Sequence, residues 1–293
     1  ANLRTVQYEN DYDGTDFVTT GLPADSDNVT DGSQISAKLR WEFAPENTGY
    51  RSALSAHYRK DDNDNTESGA DTGGTTGERI ELNWTGFYTM DNWDFAGGVE
   101  YLQRLFTQRG PIAFGDPNQK QHDNTYSVFA ETNGQLTESL TATLSARFDN
   151  NSEFDNAVSY RGGLTWQLND YYAVFTSYGK AVKTPTFTER FGYFPASFIG
   201  NPNLEPETSE EWEIGVKANW KSLSAQISAY TTDLEDEING FVFVSDLGAY
   251  SADNIDGESS REGIDLELNW DSGYGDFTAA YSYLDAEQTD NGI

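Results

Sequence analysis

The feature that most constrains this chain is a two-residue repeat of apolar and polar side chains. From Gln34 to Phe43, Ile35, Ala37, Leu39, Trp41 and Phe43 take one face, while Gln34, Ser36, Lys38, Arg40 and Glu42 take the other. Side chains that alternate between two sides mark a strand, and one apolar side with one polar side marks a sheet wet on a single face. The same phase returns over 80–88, 140–148, 212–220, 264–270 and 277–283. About 13 strands are predicted, near 2–8, 33–43, 50–60, 78–90, 93–104, 124–133, 140–148, 158–168, 171–181, 210–220, 223–231, 259–270 and 274–284. No segment shows a 3.6-residue period, so the expected fold class is all-β.

The connections alternate too. Short ones fall at 44–49, 91–92, 134–139, 169–170, 221–222 and 271–273, and long ones at 9–32, 61–77, 105–123, 149–157, 182–209 and 232–258. A meander with tight turns at one end and long loops at the other has the layout of an outer-membrane barrel. A soluble sandwich or propeller has no reason to keep that order. Five of the seven tryptophans (Trp41, Trp93, Trp166, Trp220 and Trp270) lie beside short connections. That placement suits an interfacial girdle, although Trp also ends strands in ordinary sheets.

The polar face carries Lys38, Arg40, Glu81, Asn83, Arg147, Asp265 and Glu267. A Lys or Arg against lipid at mid-membrane costs roughly 2–4 kcal/mol, so this face is expected to line a wet lumen. The reading is an antiparallel up-and-down transmembrane β-barrel. An odd strand number and two open edges do not make a complete bacterial barrel. The only methionine is Met90, and the last residues read as a loop. We therefore expect residues 1–293 to be an internal stretch of a larger barrel.

Composition narrows the chemistry. There are 49 acidic and 18 basic residues, a net charge of −31, which excludes nucleic-acid binding through phosphates. The absence of Cys excludes disulfide scaffolds, thiolate zinc sites and cysteine catalysis, and two His leave little for a multi-histidine metal centre. Segments 9–32, 61–77 and 232–258 hold 20 of the acids and no Lys or Arg. They read either as a solvated surface or as hard oxygen ligands suited to calcium. Asp61, Asp62, Asn63, Asp64 and Asn65 resemble the start of a calcium loop, but Thr66 stands where an EF-hand needs Gly and Thr72 where it needs Glu.

One stretch identifies a family. It runs YGKAVKTPTFTERFGYFPASFIGNPNLEPETSEEWEIGVK, from Tyr178 to Lys217. Pro185, Pro202 and Pro206 stop strand pairing, and Gly200 and Asn201 are turn residues. The combination resembles the corresponding stretch of TonB-dependent outer-membrane receptors. FDNNSEFDNAVSYRGGLTW (148–166) and SREGIDLELNW (260–270) resemble flanking strands of that family. The resemblance covers the whole chain as mid-barrel. It implies a 22-stranded barrel enclosing an N-terminal plug, with the plug and the C-terminal strands expected outside this sequence.

Within the family the cobalamin-receptor type is most similar. That likeness implies Asp11, Asp13, Asp61, Asp62 and Asp64 as calcium ligands in two acidic loops. The aromatic loop residues Phe187, Phe191, Tyr193, Phe194 and Phe198 either stack on a large flat ligand or pack the loop against its neighbours. The resemblance implies a receptor and active transporter in the outer membrane of a Gram-negative bacterium, monomeric at full length. It would take up cobalamin or a ferric siderophore with energy delivered by TonB through the plug, with calcium as the one cofactor to consider. A passive porin leaves the 178–217 motif unexplained. A soluble glycan-binding β protein is a further alternative. A hydrolase would have to build a triad around His122 and Asp123, or around His57, without a recognisable nucleophile motif, so no enzymatic activity is expected.

Overall fold

A computed structural model describes residues 1–15, 21–112, 115–193 and 197–290. The strands are β1 (Asn2–Thr15), β2 (Pro23–Phe43), β3 (Tyr50–Glu67), β4 (Ala70–Met90), β5 (Trp93–Arg109), β6 (Gln119–Thr137), β7 (Leu140–Asn151) and β8 (Ala157–Gln167). After β9 (Tyr172–Lys183) comes a single helical turn, α1 (Phe187–Phe191), followed by β10 (Glu207–Asn219) and β11 (Leu223–Glu235). A small hairpin, β12 (Ile238–Val244) and β13 (Ala249–Asn254), precedes β14 (Gly257–Asp271) and β15 (Asp276–Asp290).

Thirteen strands form one sheet in the order β1 to β11, then β14 and β15. Every neighbouring pair is antiparallel. This is the predicted meander of 13 strands, with β1 and β15 as its edges. The hairpin β12–β13 forms a second, two-stranded sheet within the connection from β11 to β14.

Cross-strand partners share a face, so register carries the two faces around the sheet. Leu39 opposes Ala56, which opposes Leu82 and then Tyr101. At the other side Val216 opposes Ile227, which opposes Leu266 and then Tyr281. This apolar face is open: Leu39 and Trp41 are 63% and 64% exposed. Among the described residues the one buried apolar cluster (Phe198, Leu204, Ile238 and Ala252) lies between the loop after β9 and the β12–β13 hairpin. A surface this apolar is stable against lipid and a liability in water.

Two aromatic rows bound the apolar band. Trp41, Phe43, Tyr50, Tyr88, Trp93, Trp166, Trp220 and Trp270 stand at the short-turn end, as predicted. The second row, which the sequence reading missed, contains Tyr58, Tyr101, Tyr126, Tyr160, Tyr178 and Trp212. Three of its hydroxyls reach away from the band. Tyr58 donates to Glu78 at 3.2 Å, Tyr101 to Asn124 at 2.9 Å and Tyr178 to Glu210 at 2.5 Å. A ring in the apolar layer with its hydroxyl turned to polar partners is the interfacial arrangement. Tyr50 to Tyr58, Trp93 to Tyr101 and Trp212 to Trp220 each span nine residues, close to the ~9–11 that a tilted strand needs to cross hydrocarbon.

Several expected loops are strand. β1 and β2 run through most of 9–32, β3 and β4 through 61–77, and β5 and β6 through much of 105–123. The β3–β4 hairpin closes on two residues, Ser68 and Gly69, with φ of 49° and 77°, the left-handed pair that a tight type I′ turn requires. Beyond the tyrosine row both sheet faces are wet, so apolar alternation ends while the hydrogen-bond ladder continues.

Five rings lie flat over a glycine directly opposite on the next strand: Tyr8 over Gly32, Trp93 over Gly134, Phe129 over Gly98, Phe175 over Gly215 and Tyr230 over Gly263. A Cβ at any of these glycines would overlap its ring.

Candidate functional site

The loop between β9 and β10 is the element most clearly built for function. It starts with Pro185, fully buried, and with α1, whose N-terminus is closed by a capping box. The Thr186 amide donates to Glu189 Oε2 at 2.7 Å, and the Glu189 amide donates back to Thr186 Oγ1 at 3.2 Å. This reciprocal pair stabilises a turn that five residues alone would not hold. The distal lobe of the loop closes where Gly192 and Gly200 pass each other, both at φ 67°, with backbone atoms too close for any side chain.

This loop folds onto the inner face of β5 and β6. Gln108 Nε2 donates to the Tyr193 carbonyl at 2.6 Å, and Gln119 Nε2 donates to the Gly192 carbonyl at 2.9 Å. Phe187 stacks on Phe106 at 6.0 Å under the Arg104 guanidinium, and on Phe191 at 6.4 Å. Arg104 is fixed in turn by two bonds to Asp123, at 2.9 and 2.5 Å, and Asp123 is only 2% exposed. Arg190, 7% exposed, lies against the rings of Phe154 and Phe191 and pairs with Glu153 at 3.2 Å.

On its other side the loop is tied to the β12–β13 hairpin. Tyr250 donates its amide to the Ser197 carbonyl at 2.7 Å, and Ile199 donates to the Tyr250 carbonyl at 3.0 Å. Asn254 accepts from the Glu205 amide at 2.8 Å and donates to the Glu205 and Asp236 carbonyls at 3.1 and 2.7 Å. The result is a shelf at the loop end of the sheet, spanning from the β5–β6 wall to the hairpin.

The aromatic candidates divide. Phe187 and Phe191 are half-buried against the wall, Tyr193 is exposed, and Phe198 is 4% exposed inside the small core. Phe194 lies outside the described residues. Packing is thus the role of Phe198, while Tyr193 keeps an accessible ring. Sequence reasoning missed Gln108 and Gln119 because 105–123 read as a connection, and Arg104 because its partner Asp123 lies in that same segment. It also passed over Phe241, Phe243 and Tyr250, because segment 232–258 drew attention to its acids.

The acidic candidates do not converge. Asp11 and Asp13 lie on β1, and Asp61, Asp62 and Asp64 on β3. Asp61 opposes Gln34 on the inner face, whereas Asp62 and Asp64 oppose Ser33 and Asp31 on the outer one. Each of the three has a cation: Arg59 at 2.7 Å, Lys60 at 2.7 Å and Arg109 at 2.7 Å. All three lie beyond the tyrosine row, outside the membrane span. The Arg59 bond holds the Asp61 carboxyl below the usual range, and the Lys60 bond does the same for Asp62. Among the described residues no three acids or histidines gather as a metal site. These aspartates, as arranged, do not fit a calcium ion.

Cations beyond the tyrosine row are committed elsewhere as well. Arg79 pairs with Glu81 at 2.9 Å, Arg109 also takes Asp71 at 2.6 Å, and Arg147 joins Glu100 and Asp149 at 2.8 and 2.9 Å. Lys180 and Lys183 pair with Glu210 and Glu207, both at 3.3 Å, and Arg261 pairs with Glu237. Among the described residues the exceptions are Lys120, on the outer face, and Arg4, on the edge strand at the level of the row.

The nominal hydrolytic groups are not assembled. His122 opposes Leu105 on the outer face, and Asp123 points inward to Arg104, so neighbours on one strand cannot form a dyad. His57 Nε2 is 3.0 Å from Ser36 Oγ, but among the described residues no carboxylate hydrogen-bonds its ring.

Comparison with known proteins agrees with this geometry. The family model described as TonB dependent receptor-like, beta-barrel matches residues 1–293. A vitamin B12 transporter, BtuB, of Vibrio vulnificus (strain YJ016) is 33% identical over 178 residues, covering 61% of this chain and 28% of that protein. The crystal structure of the siderophore receptor PirA from Acinetobacter baumannii superposes with a TM-score of 0.70 at 19% identity, over 92% of this chain and 46% of that one. A mutant of the ferric enterobactin receptor PfeA from Pseudomonas aeruginosa, in complex with enterobactin, gives 0.73 at 15%, over 92% and 46%. The chain therefore spans less than half the length of these relatives.

Proposed function

The chain belongs to the TonB-dependent receptor β-barrel family, and from that membership we propose that it forms part of an outer-membrane receptor and active transporter. The ligand is a scarce metal-chelate nutrient, cobalamin or a ferric siderophore, and the whole protein works as a monomer in the outer membrane of a Gram-negative bacterium. The observation that carries this reading is the shelf made by the β9–β10 loop. It is pinned to the inner wall through Gln108 and Gln119 and to the hairpin through Tyr250 and Asn254, at the loop end of a polar inner face. A structured shelf offers pre-organised contacts to a large ligand, and pre-organisation is what tight capture needs.

In this mechanism the loop-end residues of the chain capture and orient the ligand. The paired inner face, with hubs such as Arg147, presents fixed charges to whatever occupies the lumen. Release then depends on TonB acting through a plug domain. Calcium enters the proposal only as a condition to vary, since the aspartates do not converge.

The test is uptake of labelled cobalamin and of a ferric siderophore by cells carrying the full-length protein, with and without TonB and with and without calcium. Uptake of either that is lost without TonB is the expected result. Small-solute leakage indifferent to TonB would instead indicate a passive porin.

A further inference from the structure

The β12–β13 hairpin has two edges, and the chain uses them differently. On the β13 side an extended piece of the β9–β10 loop lies alongside as a third strand. Tyr250 donates its amide to the Ser197 carbonyl at 2.7 Å, and its carbonyl accepts from the Ile199 amide at 3.0 Å. In an antiparallel pair the main-chain groups of two opposed residues either face each other or both turn away. Tyr250 opposes Phe243, so the Phe243 amide and carbonyl turn away from β13, to the far edge of β12. Among the described residues β12 has no strand partner besides β13, and no backbone group bonds to Phe243.

The side chains along that edge are uncovered as well. Phe241 and Phe243 are 59% and 56% exposed. Their faces are taken by other rings: Phe241 stacks on Tyr250 at 4.1 Å and on Phe198 at 6.0 Å, and Phe243 meets Tyr250 edge-on at 5.2 Å. A strand laid against β12 would satisfy the free amide and carbonyl and cover the exposed flanks of both rings with its alternate side chains. Strand edges are commonly guarded by charged residues such as Lys, or by Pro. Residues 238–248 contain no Lys, Arg or Pro.

Charge selects the kind of strand. Segment 232–258 carries eight acids and no Lys or Arg. Among the described residues only Glu237 of these is paired with a cation, Arg261. A second copy of the hairpin would bring like charge to the same edge, whereas a basic chain would be drawn to it. We propose that β12 is a docking edge for an extended basic segment of another protein, which adds to the hairpin as a strand. The partner meets the loop end of the sheet, opposite the short turns. The inference goes beyond the transport reading and does not depend on it.

The test uses the full-length protein in detergent and a capped octapeptide of alternating Lys and Val. The peptide should bind and slow hydrogen exchange of the Phe243 amide. The same peptide with every amide N-methylated keeps its charge but cannot pair, and should bind about tenfold more weakly. An alternating Glu and Val octapeptide should be weaker by about as much. Phe243→Pro, which removes the donor where an edge strand tolerates Pro, should lose binding that Phe243→Ala keeps, with heat-modifiable migration still that of a folded barrel. No binding of the Lys–Val peptide overturns the proposal. So does binding that survives N-methylation or leaves Phe243 exchange unchanged, because charge attraction alone then explains it. Equal binding of the Glu–Val peptide overturns the charge class. A Phe243 amide already protected in the peptide-free protein shows the edge to be occupied by the receptor itself, which also overturns it.

Discussion

The two storeys of each long strand obey different rules. In β4 the lower storey reads Ile80, Leu82, Trp84, Gly86 and Tyr88 on one face, with Glu81, Asn83 and Thr85 between them. The upper storey, from Asp71 to Gly77, is Asp-Thr-Gly-Gly-Thr-Thr-Gly, a composition poor in strand-favouring apolar residues. Yet both storeys pair with β3 and β5 in the same ladder. The lower storey is held by the medium: lipid takes the apolar face and forbids unpaired backbone. The upper one is held by particular contacts, such as Arg104 with Asp123 and Arg109 with Asp64 and Asp71. A pattern set by the medium repeats along the sequence, and contacts made one at a time do not.

The hardest blow to this contrast falls on the upper storey. Arg104→Ala leaves Asp123 buried and unpaired, and should cost on the order of 4 kcal/mol. Hydrogen exchange of the full-length protein should locate the loss in β5, β6 and the shelf, sparing the band. Loss spread evenly through the barrel would mean the storeys are not separate. Next comes a charge placed in the band. Leu54→Arg, midway between the two aromatic rows on the lipid-facing side, should lower folding stability in bilayers by roughly 2–4 kcal/mol. Thr76→Arg, on the same face beyond the tyrosine row, should stay within about 0.5 kcal/mol. Equal penalties at the two sites would move the membrane boundary. The mildest change is Thr186→Ala, which removes the α1 cap and should cost about 1 kcal/mol. Faster proteolysis confined to the β9–β10 loop is the expected readout, and an unchanged rate would show that tertiary contacts alone hold the turn.

Legibility follows the same division. Ile35 through Phe43 announce a strand because lipid demands alternation, and thirteen strands and their order could be read that way. The strand character of Asp61–Asp64 could not, because their partners Gln34 to Asp31 lie 27 to 33 positions away and both faces are wet. Acid runs therefore read as loops, and a calcium site was inferred from residues that pairing distributes over two faces. The Thr186-x-x-Glu189 capping box was in plain view and went unused. The Tyr row was also visible, yet only its partners Glu78, Asn124 and Glu210 reveal which way its hydroxyls point.

Alternation has one blind spot, and the five ring-on-glycine pairs cover it. Sliding a strand by one position turns its apolar side inward and is rejected by the medium. Sliding by two keeps every face correct, so lipid cannot detect it. That slip would set Phe129 against Ala96 or Glu100, Phe175 against Glu213 or Lys217, and Tyr230 against Arg261 or Asp265. None of those neighbours leaves room for a ring lying flat. The glycines thus act like the notches of a ratchet, admitting one alignment among those the bilayer accepts equally as a thirteen-strand wall assembles.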